Sequence, residues 1–391
     1  MAKHLVERGH QVTMVCGSYG GGKSGLNNTF VRGVRRGQID GIDLIELELP
    51  YSNHDGFIKR SAIFIKFAVK STFIVLREPC DLIFTTSTPL TAGIPGIVAK
   101  YIRNKPFVFE VRDLWPELPR AMGVIRNPVA LGLMDLLERV SYRAANGCIG
   151  LSPGIVEGIR KKSNAEKAIS MIPNGSDLEL FDPGNSEEWR PEEVRSDDFM
   201  AVFTGAHGIA NGLDSVLDAA CVLRQRKNDS IKFVFIGDGK LKQTLKKRAQ
   251  REELRNCLFL DPVPKQKLAK LLQGADAGLM ILADIPAFYY GTSPNKFFDY
   301  IAAGLPVVNN YPGWLAEIIE KNKCGVVVEP GNAEKFADIL ENLAANKNDL
   351  LTMGRNARML AVKEFSRKKL ARSFVDYLEE IAGENKSEAH I

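Results

Sequence analysis

The sequence predicts an α/β chain of two domains, each a parallel sheet flanked by helices, and three observations carry that expectation. Strand and helix signals alternate in two blocks, parted by a polar stretch from Gly184 to Asp198. Glycine-centred turns follow strands of the second block, where ligands of open α/β sheets bind. Ser293 to Val308, SPNKFFDYIAAGLPVV, joins a helix start, a carboxylate and an apolar strand in one short run.

In the first block Met1 to Gly9 reads as a helix end. Strands are expected at Gln11 to Cys16, Ile42 to Leu49, Asp81 to Thr85, Pro106 to Val111, Gly147 to Leu151 and Ala168 to Ile172. The second block gives strands at Met200 to Thr204, Lys232 to Ile236, Cys257 to Leu260, Ala277 to Leu282, Pro306 to Asn309 and Gly325 to Val328, then closing helices. The expected division is 1–183, a linker 184–198, a second domain 199–367 and a terminal helix 368–391 that crosses back to the first domain.

Composition agrees with two ordinary cores: 391 residues, 45% hydrophobic and 25% charged, with no low-complexity tract. A net charge of +5 without a dense basic stripe and interleaved aromatics argues against nucleic acid and suits anionic small substrates or a membrane surface. The six cysteines are far apart with no CxxC spacing, which points to buried thiols, a reducing compartment and no zinc. No signal peptide and no long uncharged apolar run is found, so no spanning segment is expected.

Within Ser293 to Val308, Ser293 is expected to cap a helix and Pro294 to take its first position, where a missing N–H costs nothing. The helix runs through Phe297, Phe298, Tyr300, Ile301 and Ala302, ends at Gly304 and hands over to the strand. Asn295 and Lys296 then lie in a first turn whose backbone donors and dipole favour a phosphate. Asp299, one turn on, is placed to meet hydroxyl groups. A capped surface helix with an exposed aspartate is the plain alternative.

This pattern, Lys–x–x–acidic–Tyr–x–Ala–x–Gly–x–Pro–Val–Val, resembles the signature of glycosyltransferase family 4, and the likeness extends over nearly the whole chain. The resemblance implies the GT-B fold, two facing Rossmann-like domains. It also implies a pair of glutamates separated by seven residues, the second on the donor ribose and the first on the donor sugar. Asp299 occupies the second place, whereas Gly291 stands at the first, a departure that leaves the sugar contact to other groups. The family has a first strand and a glycine-rich loop ahead of the helix in which Met1 falls. The sequence therefore implies that the first strand is missing or that the true start lies upstream.

The turns FTGAHGIANG, with Gly205 and Gly208, and Gly237–Asp238–Gly239 fit a diphosphate site. Where the family commonly has an arginine and a lysine, this chain has Ala206 and Asn211. His207, Lys296 and backbone amides remain as phosphate partners, unless they are solvated loop residues. The GxHG variant with SPNK resembles the branch of L-fucosamine transferases of surface-polysaccharide assembly. In the first block FEVRDLWPELP sets Arg112, Asp113, Trp115 and Glu117 just beyond a buried strand. By the same resemblance they face the acceptor, with Asp113 nearest the reacting sugar; Asp113 also reads as a helix N-cap.

Two further segments ask for an explanation. Residues 58–77, IKRSAIFIKFAVKSTFIVLR, place Lys59, Lys66, Lys70 and Arg77 on one stripe of an otherwise apolar helix, which suits an anionic membrane interface or a core helix with snorkelling lysines. Gly17 to Ser24, GSYGGGKS, matches GxxxxGK[ST], yet no helix pattern follows it, so a flexible loop is expected rather than a P-loop.

Together these readings imply a retaining glycosyltransferase with Asp113, Lys296 and His207 as catalytic candidates and no metal or other cofactor. Its donor would be a UDP-sugar of N-acetylated deoxy-amino type and its acceptor a lipid-linked saccharide of O-antigen or capsule assembly. Its place would be cytoplasmic, peripheral at the inner face of the plasma membrane. A GT-B nucleotide-sugar epimerase and a donor-binding protein without turnover are the alternatives.

Overall fold

The computed structural model describes residues 1–19, 24–52, 55–184 and 187–388. The chain forms two units, Met1–Pro173 with Leu370–Ile391, and Asn174–Lys369.

Unit 1 contains the strands β1 (Val12–Tyr19), β2 (Val34–Ile39), β3 (Ile42–Tyr51), β4 (Ile83–Thr86), β5 (Phe107–Val111), β6 (Gly147–Gly150) and β7 (Ala168–Met171). Its helices are α1 (Ala2–Glu7), α2 (Phe57–Arg77), α3 (Gly93–Arg103), α4 (Glu117–Ala121), α5 (Pro128–Ala144) and α6 (Pro153–Lys162). Strands β4-β5-β6-β7 form one parallel sheet and β1-β3-β2 another, in which β1 and β3 are parallel. β2 is an antiparallel edge that the expectation of parallel sheets left out. Its cause was readable: Asp40 and Gly41 both adopt left-handed φ, 52° and 78°, the Asp-Gly turn that joins paired strands in two residues. The P-loop lookalike runs into residues 20–23, which lie outside the described residues.

The core of unit 1 centres on β5, whose Phe107, Val108, Phe109 and Val111 are fully buried, as a parallel strand covered on both faces requires. A last helix, residues Arg367–Glu388, supplies Phe374, Tyr377 and Leu378 to that core. The Tyr377 hydroxyl donates to the Cys148 and Ala168 carbonyls.

Unit 2 contains β8 (Phe199–Thr204), β9 (Ile231–Ile236), β10 (Cys257–Leu260), β11 (Ala277–Met280), β12 (Val307–Asn309) and β13 (Gly325–Val327). Between and after them come α7 (Asp214–Gln225), α8 (Lys242–Arg251), α9 (Lys265–Gln273), α10 (Pro286–Gly291), α11 (Asn295–Ala302), α12 (Trp314–Asn322), α13 (Ala333–Ala345) and α14 (Lys347–Glu364), while the final helix, α15 (Arg367–Glu388), belongs to unit 1 from Leu370 onward. All six strands are parallel in the order β10-β9-β8-β11-β12-β13. The order reverses between β8 and β11, the switch point at which loops part and leave a crevice beyond the strand ends.

The stretch read as a linker packs within unit 2 instead. Trp189 N–H donates to the Lys270 carbonyl, Arg190 bridges Asp276 and the Asp198 carbonyl, and Lys267 lies 4.2 Å over the Trp189 ring. Its polar composition concealed one indole and one guanidinium with fixed partners. The chain divides at Pro173/Asn174 rather than at 183/184.

Candidate active site

In unit 2 the loops after β8 and β9 meet backbone to backbone. Gly205, Gly237 and Gly239 have φ of 132°, 144° and 159°. A Cβ on Gly237 would stand 1.9 Å from the Gly205 carbonyl oxygen, and one on Gly239 2.5 Å from that of His207. The His207 N–H donates to the Asp238 carbonyl at 3.0 Å, closing the two loops on each other. Buried Lys242 donates to the carbonyls of Gly237 and Leu260 and to Asp261, tying together the ends of β9 and β10. Gly208 keeps ordinary extended backbone, and no heavy atom lies near its Cβ direction.

Helix α11 begins at Asn295, with Pro294 as its N-cap residue. The expected cap by Ser293 is corrected: its Oγ accepts from the Asn174 backbone N–H at 3.1 Å, and its carbonyl accepts from the Asn174 side chain. Ser293 is therefore spent on holding the 174–176 segment, and the first turn of α11 has no side-chain cap. Tyr300, fully buried, anchors the helix by accepting from the Thr204 N–H at 2.9 Å. Gly304 ends it in a left-handed turn, with the Leu305 N–H on the Tyr300 carbonyl.

Lys296 reaches from the first turn of α11 under the Gly205 loop. Its Nζ donates to Asn211 Oδ1 at 2.7 Å and lies 3.9 Å above the Phe203 ring, while Asn211 donates in turn to the Ala206 carbonyl. Burial pushes the Lys296 amine down to about 7. The residue that stands where the family commonly has a lysine thus holds Lys296, a pairing between positions 85 residues apart that the sequence did not reveal.

His207 does not supply a cation. The side chain is fully buried among Phe203, Phe235 and Phe259, and neither ring nitrogen has a partner among the described residues. Desolvation, aided by Lys242 and Lys296, pushes it down to about 4, so near neutrality the imidazole is uncharged. Asp299 is also buried; its Oδ1 accepts from Ser176 Oγ at 2.9 Å, and burial raises its pKa against the opposing pull of Lys265 and Ser176. Gly291 ends α10, with open space along its Cβ direction, so its short side chain is no steric requirement.

In unit 1, Arg112, Asp113, Trp115 and Glu117 follow β5. The Arg112 N–H donates to Ser87 Oγ at 2.8 Å, and Thr88 Oγ1 approaches Asp113 at 3.4 Å. Asp113 does not cap α4, whose N-cap residue is Pro116. Desolvation raises the Asp113 pKa, with Arg112 opposing. The loop is held from below by Glu138, fully buried, which accepts from the Trp115 N–H, the Tyr142 hydroxyl and Lys162. Glu117 is exposed at the first turn of α4. Beside Thr88 opens a cavity of about 390 Å³ lined by Ile63, Phe64 and Phe67 of α2 and by Leu49 and Thr86.

Two family models match the chain, a glycosyl transferase 4-like domain over residues 1–175 and glycosyl transferases group 1 over residues 185–360. The chain belongs to the GT-B glycosyltransferases. This glycosyltransferase is 23% identical over 334 residues to the probable glycosyltransferase WbjE of Pseudomonas aeruginosa, covering 82% of this chain and 80% of the relative. It is 27% identical over 172 residues to the amylovoran biosynthesis glycosyltransferase AmsK of Erwinia amylovora, covering 44% of this chain and 42% of that one. The fold of the glycosyltransferase is that of sucrose-phosphate synthase from Thermosynechococcus elongatus, with a TM-score of 0.75 at 16% identity over 97% of this chain and 91% of that one. It is likewise that of Anabaena HepE in complex with UDP-glucose, with a TM-score of 0.64 at 18% identity over 87% of each chain.

Proposed function

We propose that this glycosyltransferase moves an N-acetylated deoxy-amino sugar from a UDP-sugar to a lipid-linked saccharide of O-antigen or capsule assembly, with retention of anomeric configuration. The observation that carries the reading is the position of Lys296, at the N-terminal turn of α11 and beneath the Gly205 loop, beyond the carboxyl end of β8 at the switch point of the sheet. Charge that builds on the leaving diphosphate meets the α11 dipole, backbone amides and an amine that becomes fully protonated beside it.

In this reading the acceptor hydroxyl attacks the anomeric carbon on the face that the diphosphate leaves. The departing phosphate oxygen takes the hydroxyl proton, so no protein nucleophile is required, and no metal is assigned a role. Asp299 receives the ribose hydroxyls; Asp113 stands near the reacting sugar, with Arg112, Trp115 and Glu117 on the acceptor side. Support for a UDP-sugar comes from the likeness to HepE, and for polysaccharide assembly from the likeness to WbjE and AmsK. No helix among the described residues is long and apolar enough to cross a membrane. Residues 58–77, with five basic and no acidic side chains on α2, suit the anionic inner surface where lipid-linked acceptors reside.

Incubation with a panel of UDP- and GDP-sugars and an undecaprenyl-diphosphate-linked acceptor tests the proposal. Transfer from a UDP-amino sugar, with the product anomer read by NMR, is the expected outcome. Inversion would overturn the mechanism; interconversion of donors without transfer would establish an epimerase, and binding without turnover a donor-binding protein.

A further inference from the structure

Helix α5 is apolar on both sides. Its inward side carries Leu131, Tyr142 and Ala144 beside Glu138 and Ser141, whereas its outward side carries Val129, Leu133, Leu136 and Val140, between 36% and 69% exposed. The spacing of four, three and four residues lines these apolar side chains into one stripe. Single exposed leucines are ordinary, but a stripe of this kind marks an interaction surface.

The stripe has neighbours. α2 packs on α3, and α3 on α5. Right-handed crossovers from β4 to β5 and from β5 to β6 put α3 and α5 on the same side of the sheet. α3 ends in Tyr101 and Ile102, about 70% and 69% exposed, and α2 presents Ile65, Val69 and Phe73 outward. Charge decides among occupants. α2 and α3 hold seven lysines and arginines and no acidic residue, so with +5 for the entire chain the remainder is net acidic. On α5 the exposed Arg143 and Arg139 line one edge of the stripe; Asp135 is paired with Arg139 and Lys162, and buried Glu138 with Lys162.

We infer that the outward side chains of α2, α3 and α5 form one three-helix face that docks on an anionic bilayer, with the α5 leucines and valines inserted among the lipid headgroups. This deepens the membrane reading of α2 and rests on it. An interfacial apolar face penetrates about 5–10 Å, enough for side chains but not for a helix. Three helices also fix the orientation of unit 1 on the membrane, which one helix free to roll would not.

Vesicles of phosphatidylcholine alone, and of phosphatidylcholine with phosphatidylglycerol, are the probes. The double variant Leu133→Glu, Leu136→Glu should partition about tenfold or more less onto the mixed vesicles, from the loss of two inserted leucines. Leu351→Glu, an equally exposed leucine on α14, should leave partitioning unchanged. A polarity-sensitive fluorophore on Leu136→Cys should shift to the blue with mixed vesicles and one on Leu351→Cys should not; this reads the face without relying on the charged variant to fold. Parent-like partitioning with an unshifted fluorophore overturns the inference. If reversal of Lys59, Lys66 and Lys70 still releases the protein, the α2 reading survives that failure. A dimer in sedimentation that the double variant abolishes, with vesicle binding intact, assigns the face to a second copy and overturns the inference as well.

Discussion

Lys296 and Asn211 share a hydrogen bond of 2.7 Å that fixes a half-buried amine beneath the Gly205 loop, and the amine is held near the middle of the neutral pH range. On the proposed reading such an amine, only partly charged when alone, takes up a proton when the donor's diphosphate binds beside it.

The first prediction follows from that linkage. In the folded protein the Lys296 pKa is about 7, below the usual lysine value, so stability rises with pH between 7 and the unfolded value and is lower below 7. UDP binding has the opposite sign: it favours the ammonium, so affinity should fall as pH rises above 7. Calorimetry at pH 8 in buffers of different ionisation enthalpy should show net proton uptake. Lys296→Met should abolish the uptake and cost about 1.5–3 kcal/mol of UDP affinity, and Asn211→Ala about 1 kcal/mol. Lys23→Ala should leave both unchanged, and a collapse of donor binding there would revive the P-loop.

His207 separates packing from chemistry. Its folded pKa of about 4 lies below the ordinary histidine value, so its stability contribution is full above that value and is lost as pH falls toward 4, by up to about 3 kcal/mol. His207→Phe should flatten this acid loss in thermal melts between pH 6.5 and 4 and leave transfer at pH 7.5 near that of the parent. A hundredfold loss of kcat with an intact melt would restore His207 as a catalytic group.

Asp299 carries the ribose assignment. Asp299→Ala should weaken UDP binding by about 1–3 kcal/mol, the cost of losing a charge-assisted hydrogen bond. Ser176→Ala, which removes the hydroxyl that orients Asp299, should have a smaller effect in the same direction. Titration that finds the parent affinity in Asp299→Ala would remove the residue from the site.

Gly237 tests the loop architecture. Gly237→Ala places a methyl group 1.9 Å from the Gly205 carbonyl oxygen at a φ of 144°, so a loss of about 3 kcal/mol or more of stability is expected, together with weaker donor binding. Gly208→Ala, with open space around its Cβ, should be tolerated. Equal melting temperatures for the two variants would contradict the packing described.

On the proposed membrane reading, the basic side chains of α2 set the electrostatic part of the contact. Lys59→Glu, Lys66→Glu and Lys70→Glu together should release the protein from phosphatidylglycerol vesicles, because each basic residue near such a surface contributes about 1 kcal/mol and reversal makes the term repulsive. Co-sedimentation equal to that of the parent would remove α2 from the interface.

What the sequence by itself determined is what local chemistry and period determine. All twelve expected strands form, because buried parallel strands read as short apolar runs, and α11 closes at Gly304 because glycine dictates that end; its start was read one residue early, since Pro294 is the N-cap residue rather than the first helical one. The Asp40–Gly41 hairpin was equally legible, yet the parallel pattern around it drew attention away. Partners far apart in the chain were not legible. Nothing local says that Asn211 meets Lys296, that Ser293 serves Asn174 rather than its own helix, or that Glu138 holds the Trp115 loop. Nor does a histidine between glycines say whether it faces phosphate or three phenylalanines. Those outcomes depend on burial, which sets both the ionisation of a side chain and the worth of its hydrogen bond, and burial exists only once β8, β9 and α11 are packed together.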